Sequence, residues 1–312
     1  MNGDKQKRLV LLAMLASLVA NIIWGISSTF TKIAMQKAVP SVLLSWRFGL
    51  ALVVLSLYAL IRRENLRLNK KTAGYMVLLG MLQPVLYFIL EEYGILYSSV
   101  AFCGIMLSLS PAFSVLMGAV FLREKVTYAQ LGFSALSISG VLIVTIASGG
   151  TGIVTLPGFI MLFLGVTFGT AYFIVARRVS GETTAFQRTY YMAVAGAIVF
   201  PVWALLEHWE NPTVILVAAG EPGFLTSVLF LGVFSTAVAY LIMNFASNHL
   251  PAARFSAFTN LATVVTVMAG VLILHEPFLP IIVPTTIMII VGVWGVQKFT
   301  PEMLEARKQK TK

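Results

Sequence analysis

Charge is scarce in this chain. Only 11% of its residues are Asp, Glu, Lys or Arg and 58% are apolar, whereas a soluble domain carries about 25% charged and about 45–50% apolar residues. A water-facing surface cannot be built all round from that supply, so the composition excludes an ordinary soluble domain and selects lipid as the solvent. Cysteine is nearly absent: Cys103 stands alone inside an apolar run, which excludes a disulfide framework within one chain. Aspartate occurs once, at Asp4, and the three histidines, His208, His249 and His275, fall at expected helix ends or links. CxxC, Cys/His metal spacing, HExxH, Walker A and GxGxxG are all missing. No metal and no cofactor is expected. The same absences argue against a membrane-embedded enzyme and against a pump that burns ATP within this chain.

What the chain does have is apolar length. A spanning helix needs about 20 mostly apolar residues. Ten such runs follow one another at 9–33, 41–61, 73–93, 97–121, 128–147, 156–177, 186–206, 223–246, 252–274 and 280–299, with short links. The basic start (Lys5, Lys7, Arg8) before an apolar stretch resembles a signal peptide. The stretch continues to about Phe30 without a small-residue cleavage site, so it reads as a first, retained helix. The fold class is therefore an all-α membrane protein of ten transmembrane helices.

The net charge of +10 would suggest nucleic acid in a soluble protein. Here the basic residues fall mostly in the gaps between apolar runs, where they set topology. With the N-terminus placed in the cytoplasm, 19 of the 22 lysines and arginines lie on the inner side, leaving Lys32, Lys37 and Arg47 for the outer. Both termini are then cytoplasmic, in a multi-pass inner (plasma) membrane protein. The expected partners are membrane lipid and a small-molecule substrate, with no nucleic acid, and the chain is expected to be a monomer or a weak homo-oligomer.

An internal repeat appears at an offset of 152 residues: Gly80/Gly232, Tyr93/Phe245, Ala101/Ala253, Gly118/Gly270, Glu124/Glu276 and Gly140/Gly292. Two apolar stretches share glycine by chance; a glutamate at equivalent helix ends is harder to obtain that way. Each copy holds five helices, an odd number, so the second enters the membrane upside down. The division is 1–147 for the first five-helix repeat and 148–312 for the second. Inverted repeats are a signature of secondary transporters, with a site near the midplane between the halves.

Polar groups are costly in lipid, so they face a cavity or a partner, and helical spacing shows which face that is. The first run carries Asn21, Trp24, Gly25, Ser28 and Lys32 at i, i+3, i+4, i+7 and i+11. They form a cavity wall on one reading and a helix-packing stripe on the other. The third run places Gln83, Tyr87, Glu91 and Gly94 on one face, with Glu92 about 100° away. Glu91 or Glu92 serves a substrate amine or a proton on one reading, and is simply wet at a helix end on the other. Lys32, Arg47 and the Glu91/Glu92 pair share a depth. They form a gate or a zwitterion site, or else Arg47 is a structural ion-pair partner. In the second half the polar candidates are Tyr172, Tyr190, Tyr240, Asn244 and Asn260, with Tyr190 assigned to packing. Glu124 and Glu276 read as structural or gating. Pro84, Pro111, Pro201 and Pro284 are expected to interrupt helices, and Gly165 and Gly169 to pack helices within the monomer.

Several of these segments resemble the EamA type of the drug/metabolite transporter superfamily. Trp24-Gly25, Lys32, Pro40 and Arg47-Phe48 are similar to that family's first two helices. Pro111, then Phe121-Leu122-Arg123-Glu124-Lys125-Val126 and Gln130-xx-Gly132, resemble its fourth and fifth, and Leu274-His275-Glu276 is the second copy. The second copy departs by carrying Thr263 where Pro111 stands and Phe168 where Trp24 stands, which implies an asymmetric cavity. The resemblance implies ten helices, a central cavity, alternating access and, in many members, export of amino acids or related metabolites; other members handle nucleotide sugars, triose phosphates or drugs. The expected function is thus a carrier, exporter or facilitator, of small metabolites such as amino acids. The alternatives are an organic-cation or multidrug carrier of the same fold, or a channel or accessory subunit, for which a ring of repeated charges is the missing feature. The expected cavity residues are Asn21, Trp24, Ser28, Gln83, Tyr87, Tyr172, Tyr240, Asn244 and Asn260. The expected gating or coupling residues are Lys32, Arg47, Glu91 and Glu92.

Overall fold

The structure is a computed structural model describing residues 3–121, 126–147, 154–249, 252–277 and 279–301; the side chains of 3–7, 121, 177, 244, 247–249 and 252–260 are not described. The described chain is helix and connecting turn, with one isolated antiparallel bridge between Ser98 and Val154. In lipid every backbone polar group must be satisfied within the protein, and helices do this locally.

The helices are α1 (Gly3–Ala34), α2 (Pro40–Arg62), α3 (Lys70–Gly80), α4 (Tyr87–Leu96), α5 (Val100–Leu107), α6 (Ser110–Phe121) and α7 (Tyr128–Ala147). After them come α8 (Leu156–Arg178), α9 (Ala185–Glu207), α10 (Val214–Val217), α11 (Pro222–Leu229), α12 (Ala239–His249), α13 (Ala252–Ile273) and α14 (Ile282–Lys298). Among the described residues eight continuous helical stretches are long and apolar enough to cross a membrane, and Leu261–Ile273 and Ile282–Lys298 are shorter apolar helices.

Polar side chains mark the helix starts. Asn69 and Thr72 form a reciprocal cap on α3, Thr184 and Gln187 do so on α9, and the Ser99 hydroxyl accepts from the Phe102 N–H on α5. Such caps satisfy N–H groups that the first turn leaves free.

Three expected runs contain backbone irregularities. The third passes from α3 to α4 through a π-helical turn, Met81–Leu86, in which Gln83 is extended (φ −148°, ψ 116°) before Pro84. The eighth passes from α11 to α12 through a π-helical stretch, Phe230–Val238. The fourth breaks between α5 and α6 at Ser108 and Leu109, where the Ser108 and Ser110 hydroxyls donate to the carbonyls of Ile105 and Leu107. The proline expectation needs correction. Pro84 stands in one break, and Pro111 follows directly on another, at Ser108 and Leu109. Pro111 and Pro284 lie in the first turns of α6 and α14, where no intrahelical N–H bond is lost, and α9 runs unbroken past Pro201.

The main packing pairs helices from opposite halves of the chain: α7 with α14, α1 with α13 and α12, α2 with α9, α4 with α8, and α5 with α13. Close approach depends on small residues. A Cβ on Gly25 would sit 2.6 Å from Val265 Cβ and 2.9 Å from the Ala262 carbonyl, so α1 and α13 touch through this glycine.

Helix ends collect at two faces, each tied across. At the first, Lys71 pairs with Glu182 at 2.8 Å, Gln187 and Tyr191 donate to the carbonyls of Asn65 and Leu66, and Thr127 donates to Phe299. At the second, Lys37 pairs with Glu221 at 3.2 Å, Trp46 donates to Ile215 and Thr155 to Tyr97.

Candidate functional site

A cavity of about 680 Å³ lies between α1, α2, α4, α5, α6, α7, α8, α12, α13 and α14. Ligand sites typically occupy ~300–1,000 Å³ and are lined mainly by apolar and aromatic groups with a few placed polar ones. The lining runs from Thr31 and Glu91, toward the second face, to Gln130, Gln297 and Thr300 at the first. Serines and threonines missed by the sequence argument, among them Ser27, Ser114, Ser235, Thr263 and Thr266, join the wall. Ser27 lies off the narrow stripe counted on the first run, and only α1's broader inward face reveals it.

α1 presents Asn21, Trp24 and Ser28 to this space. The Asn21 amide donates to Ser17 O on its own helix. Trp24 Nε1 donates at 3.1 Å to the carbonyl of Ser235 inside the π-helical stretch, and its ring meets Tyr240 edge-on at 5.1 Å. Ser27 and Ser235 share a hydroxyl–hydroxyl bond of 2.8 Å.

The π-helical turn ahead of α4 sets the opposite wall. Gln83 Nε2 donates to the Tyr240 hydroxyl at 2.6 Å, and the Tyr87 hydroxyl donates to Glu91 Oε1 at 2.8 Å. Gly169 on α8 leaves room for Tyr87, since a Cβ there would lie 2.9 Å from the ring. The glycine pair at 165 and 169 thus packs α8 on α4 inside the monomer.

The expected charge cluster forms only in part. Arg47 and Glu92, 4% and 0% exposed, pair at 3.2 Å. Arg47 Nε also donates to Thr236 Oγ1 and Nη2 to Ser235 Oγ, and the guanidinium lies 4.4 Å from the centre of the Phe88 ring. Arg47 borders the cavity, while Glu92 is behind it. Lys32 does not join them. Its Nζ donates to the carbonyls of Ile95 at 2.6 Å and Ser98 at 2.9 Å, because a lysine near the end of α1 lies beside the carbonyl end of α4, which attracts a cation. Glu276 grips the far side of the same turn, accepting from the Val100 and Ala101 N–H groups at 2.7 and 2.9 Å. Glu124 lies outside the described residues.

Six expected cavity residues, Asn21, Trp24, Ser28, Gln83, Tyr87 and Tyr240, therefore line one space. Tyr172 does not. It packs with Met76, Leu79 and Val179, and its neighbour Phe173, one helical step round, faces the cavity instead. The side chains of Asn244 and Asn260 lie outside those described.

The model of the EamA-like transporter family matches this chain twice, over residues 11–146 and 156–297. An uncharacterized transporter of Bacillus subtilis, YcxC, is 30% identical over 91% of this chain and 92% of its own. The S-adenosylmethionine/S-adenosylhomocysteine transporter of Chlamydia trachomatis (serovar L2) is 28% identical over 83% of this chain and 80% of its own. A probable terminal-alkyne amino-acid exporter of Streptantibioticus cattleyicolor is 24% identical over 67% of this chain and 66% of its own.

Proposed function

Because the chain belongs to the EamA-like transporter family, we propose that it is a secondary carrier of small metabolites, amino acids and their derivatives among them, working by alternating access in the plasma membrane. The observation that carries this reading is the cavity itself. A space of about 680 Å³ is walled by aromatic and apolar side chains and bordered by one carboxylate, Glu91, and one guanidinium, Arg47. Groups so placed between spanning helices mark a substrate path, and a few convergent polar groups in an apolar pocket fix a ligand's orientation. The relatives named as an amino-acid exporter and as an S-adenosylmethionine transporter support a substrate of this size and polarity.

The architecture in this reading is ten spanning helices with cytoplasmic termini, in two inverted repeats, 1–147 and 148–312. Packing between opposite halves, α7 on α14 and α2 on α9, supports it, since halves that bury faces on each other can rock about a shared site. The cavity lining reaches the first face at Gln130, Gln297 and Thr300. At the second face Lys32, Glu276 and the Ser98–Val154 bridge gather. In the proposed topology the site is open to the cytoplasm and closed outside.

Counterflow in proteoliposomes tests the reading. Vesicles loaded with unlabelled amino acids or amines should transiently accumulate the labelled compound, with saturation. Lack of exchange across a panel of amino acids, amines and onium compounds sinks the carrier.

A further inference from the structure

We propose that the cavity selects for positive charge: it takes the ammonium or onium end of an amine at Glu91, among the rings of Trp24, Tyr87 and Tyr240, and offers no uncommitted cation to a substrate carboxylate. This rests on the carrier reading and narrows its substrate class.

The cation at the wall, Arg47, is already engaged. A guanidinium that reads a carboxylate must present free N–H groups in a fork. In Arg47, three of the five N–H groups already donate, from Nε to Thr236, from Nη1 to Glu92 and from Nη2 to Ser235. Its charge is answered by Glu92, and the ring of Phe88 lies against the guanidinium. Lys32, the other cation expected at this depth, is spent on the carbonyls of Ile95 and Ser98.

Glu91 differs from both. It borders the cavity and accepts a bond from a neutral donor, the Tyr87 hydroxyl. The three ion pairs among the described residues join Lys37 to Glu221, Arg47 to Glu92 and Lys71 to Glu182, and none involves Glu91. A buried carboxylate with no ion-pair contact is costly, and a ligand cation lowers that cost on binding. Around it stand the groups that favour cations over neutral ligands. Trp24 and Tyr240 meet edge to face at 5.1 Å, Gln83 holds the Tyr240 hydroxyl, and Tyr87 is seated against Gly169. Aromatic faces attract ammonium and onium groups through the ring quadrupole. Leu107, Val115, Val166 and Phe173 complete an apolar lining, so the fitting ligand pairs a cationic head with a hydrophobic body.

Binding of radiolabelled tetraphenylphosphonium to the purified full-length protein in detergent tests this, with phenethylamine, phenylalanine and N-acetylphenylalanine as competitors. These share an apolar body and present a cation, a cation with a carboxylate, and a carboxylate alone. Saturable phosphonium binding is expected, displaced by phenethylamine and unaffected by N-acetylphenylalanine, with Glu91→Gln weakening it at least about tenfold. Equal displacement by N-acetylphenylalanine, undiminished binding to Glu91→Gln, or no binding of either cation overturns the proposal. If Glu91→Gln does not fold, the competition series on the unmodified protein decides. Counterflow of zwitterions that cations neither compete with nor drive leaves the carrier standing and removes this inference. Cation binding without counterflow does the reverse.

Discussion

At the residue scale, the two neighbouring glutamates of α4 do different work. Glu92 is fully buried and paired with Arg47, while Glu91 borders the cavity. Removing one partner of a buried pair strands the other charge, at a cost of about 3–5 kcal/mol, whereas replacing both with apolar groups is often nearly neutral. Arg47→Met should therefore collapse the folded yield and lower the melting temperature in detergent. Arg47→Met combined with Glu92→Leu should recover most of both. Equal loss in the single and double variants would show that Arg47 matters through Thr236 and Phe88 rather than through Glu92. Sequence spacing brought Arg47 and Glu92 to a common depth, since helical period and apolar runs fix depth well. It also brought Lys32 to that depth, but Lys32 meets the carbonyls of Ile95 and Ser98 instead of the glutamates, because period gives a helix face and not the neighbour it meets. Tyr172 failed for the same reason: one residue along α8 turns the side chain about 100°, and Phe173 took the cavity instead.

At the element scale, the α4–α5 turn is held from both sides. Lys32 of α1 binds the carbonyl end of α4, and Glu276 binds the amide end of α5. Each contact sets a charge against the favourable end of a helix dipole, worth up to ~2 kcal/mol when partly buried. Cys103, the one cysteine, lies buried on α5 just beyond this turn, with its Sγ 3.9 Å from Ser28 Oγ. Glu276→Gln weakens the hold by about 1–2 kcal/mol, so the opened population should rise roughly 5–30-fold. A permeant maleimide should label Cys103 faster by that factor, and an unchanged rate would mean the turn is held by packing alone. The contact of α1 with α13 at Gly25 gives a second prediction. Gly25→Val puts a branched side chain where a Cβ is already 2.9 Å from a backbone carbonyl, and overpacking costs about 1–3 kcal/mol. Thermal unfolding should show that loss, and wild-type stability would mean the two helices part freely. The apolar runs announced the spanning helices because hydropathy averages over 20 residues. The π-helical segments Met81–Leu86 and Phe230–Val238 escaped that average, since residues of the same apolar type fill α and π turns alike. Those segments place Gln83 and the Ser235 carbonyl beside their partners, so the finest features of the site were the least legible.

At the scale of the whole molecule, charge and helix count make one joint claim. The link at 63–69 lies at the first face, with Asn65 and Leu66 tied to α9, and the 208–221 segment lies at the second, with Ile215 tied to Trp46 and Glu221 to Lys37. The first-face segment holds Arg63 and Arg67 and is followed by Lys70 at the start of α3, and the second holds Glu210 and Glu221 and is preceded by Glu207 at the end of α9. Lysine and arginine in short loops are retained in the cytoplasm, so position 65 should be inside and position 210 outside. Five spans would separate them, an odd number, as a five-helix repeat inserted upside down requires. Single cysteines placed at 65 and 210 on a Cys103→Ser background read this directly with an impermeant maleimide. Intact cells should label position 210, and position 65 should react only once the membrane is opened. The opposite pattern would keep the inverted repeat and reverse the orientation, which would turn the Gln297 and Thr300 end of the cavity outward. Labelling of both positions from the same side would require an even number of crossings between them, and neither the ten-span count nor the inversion would survive it.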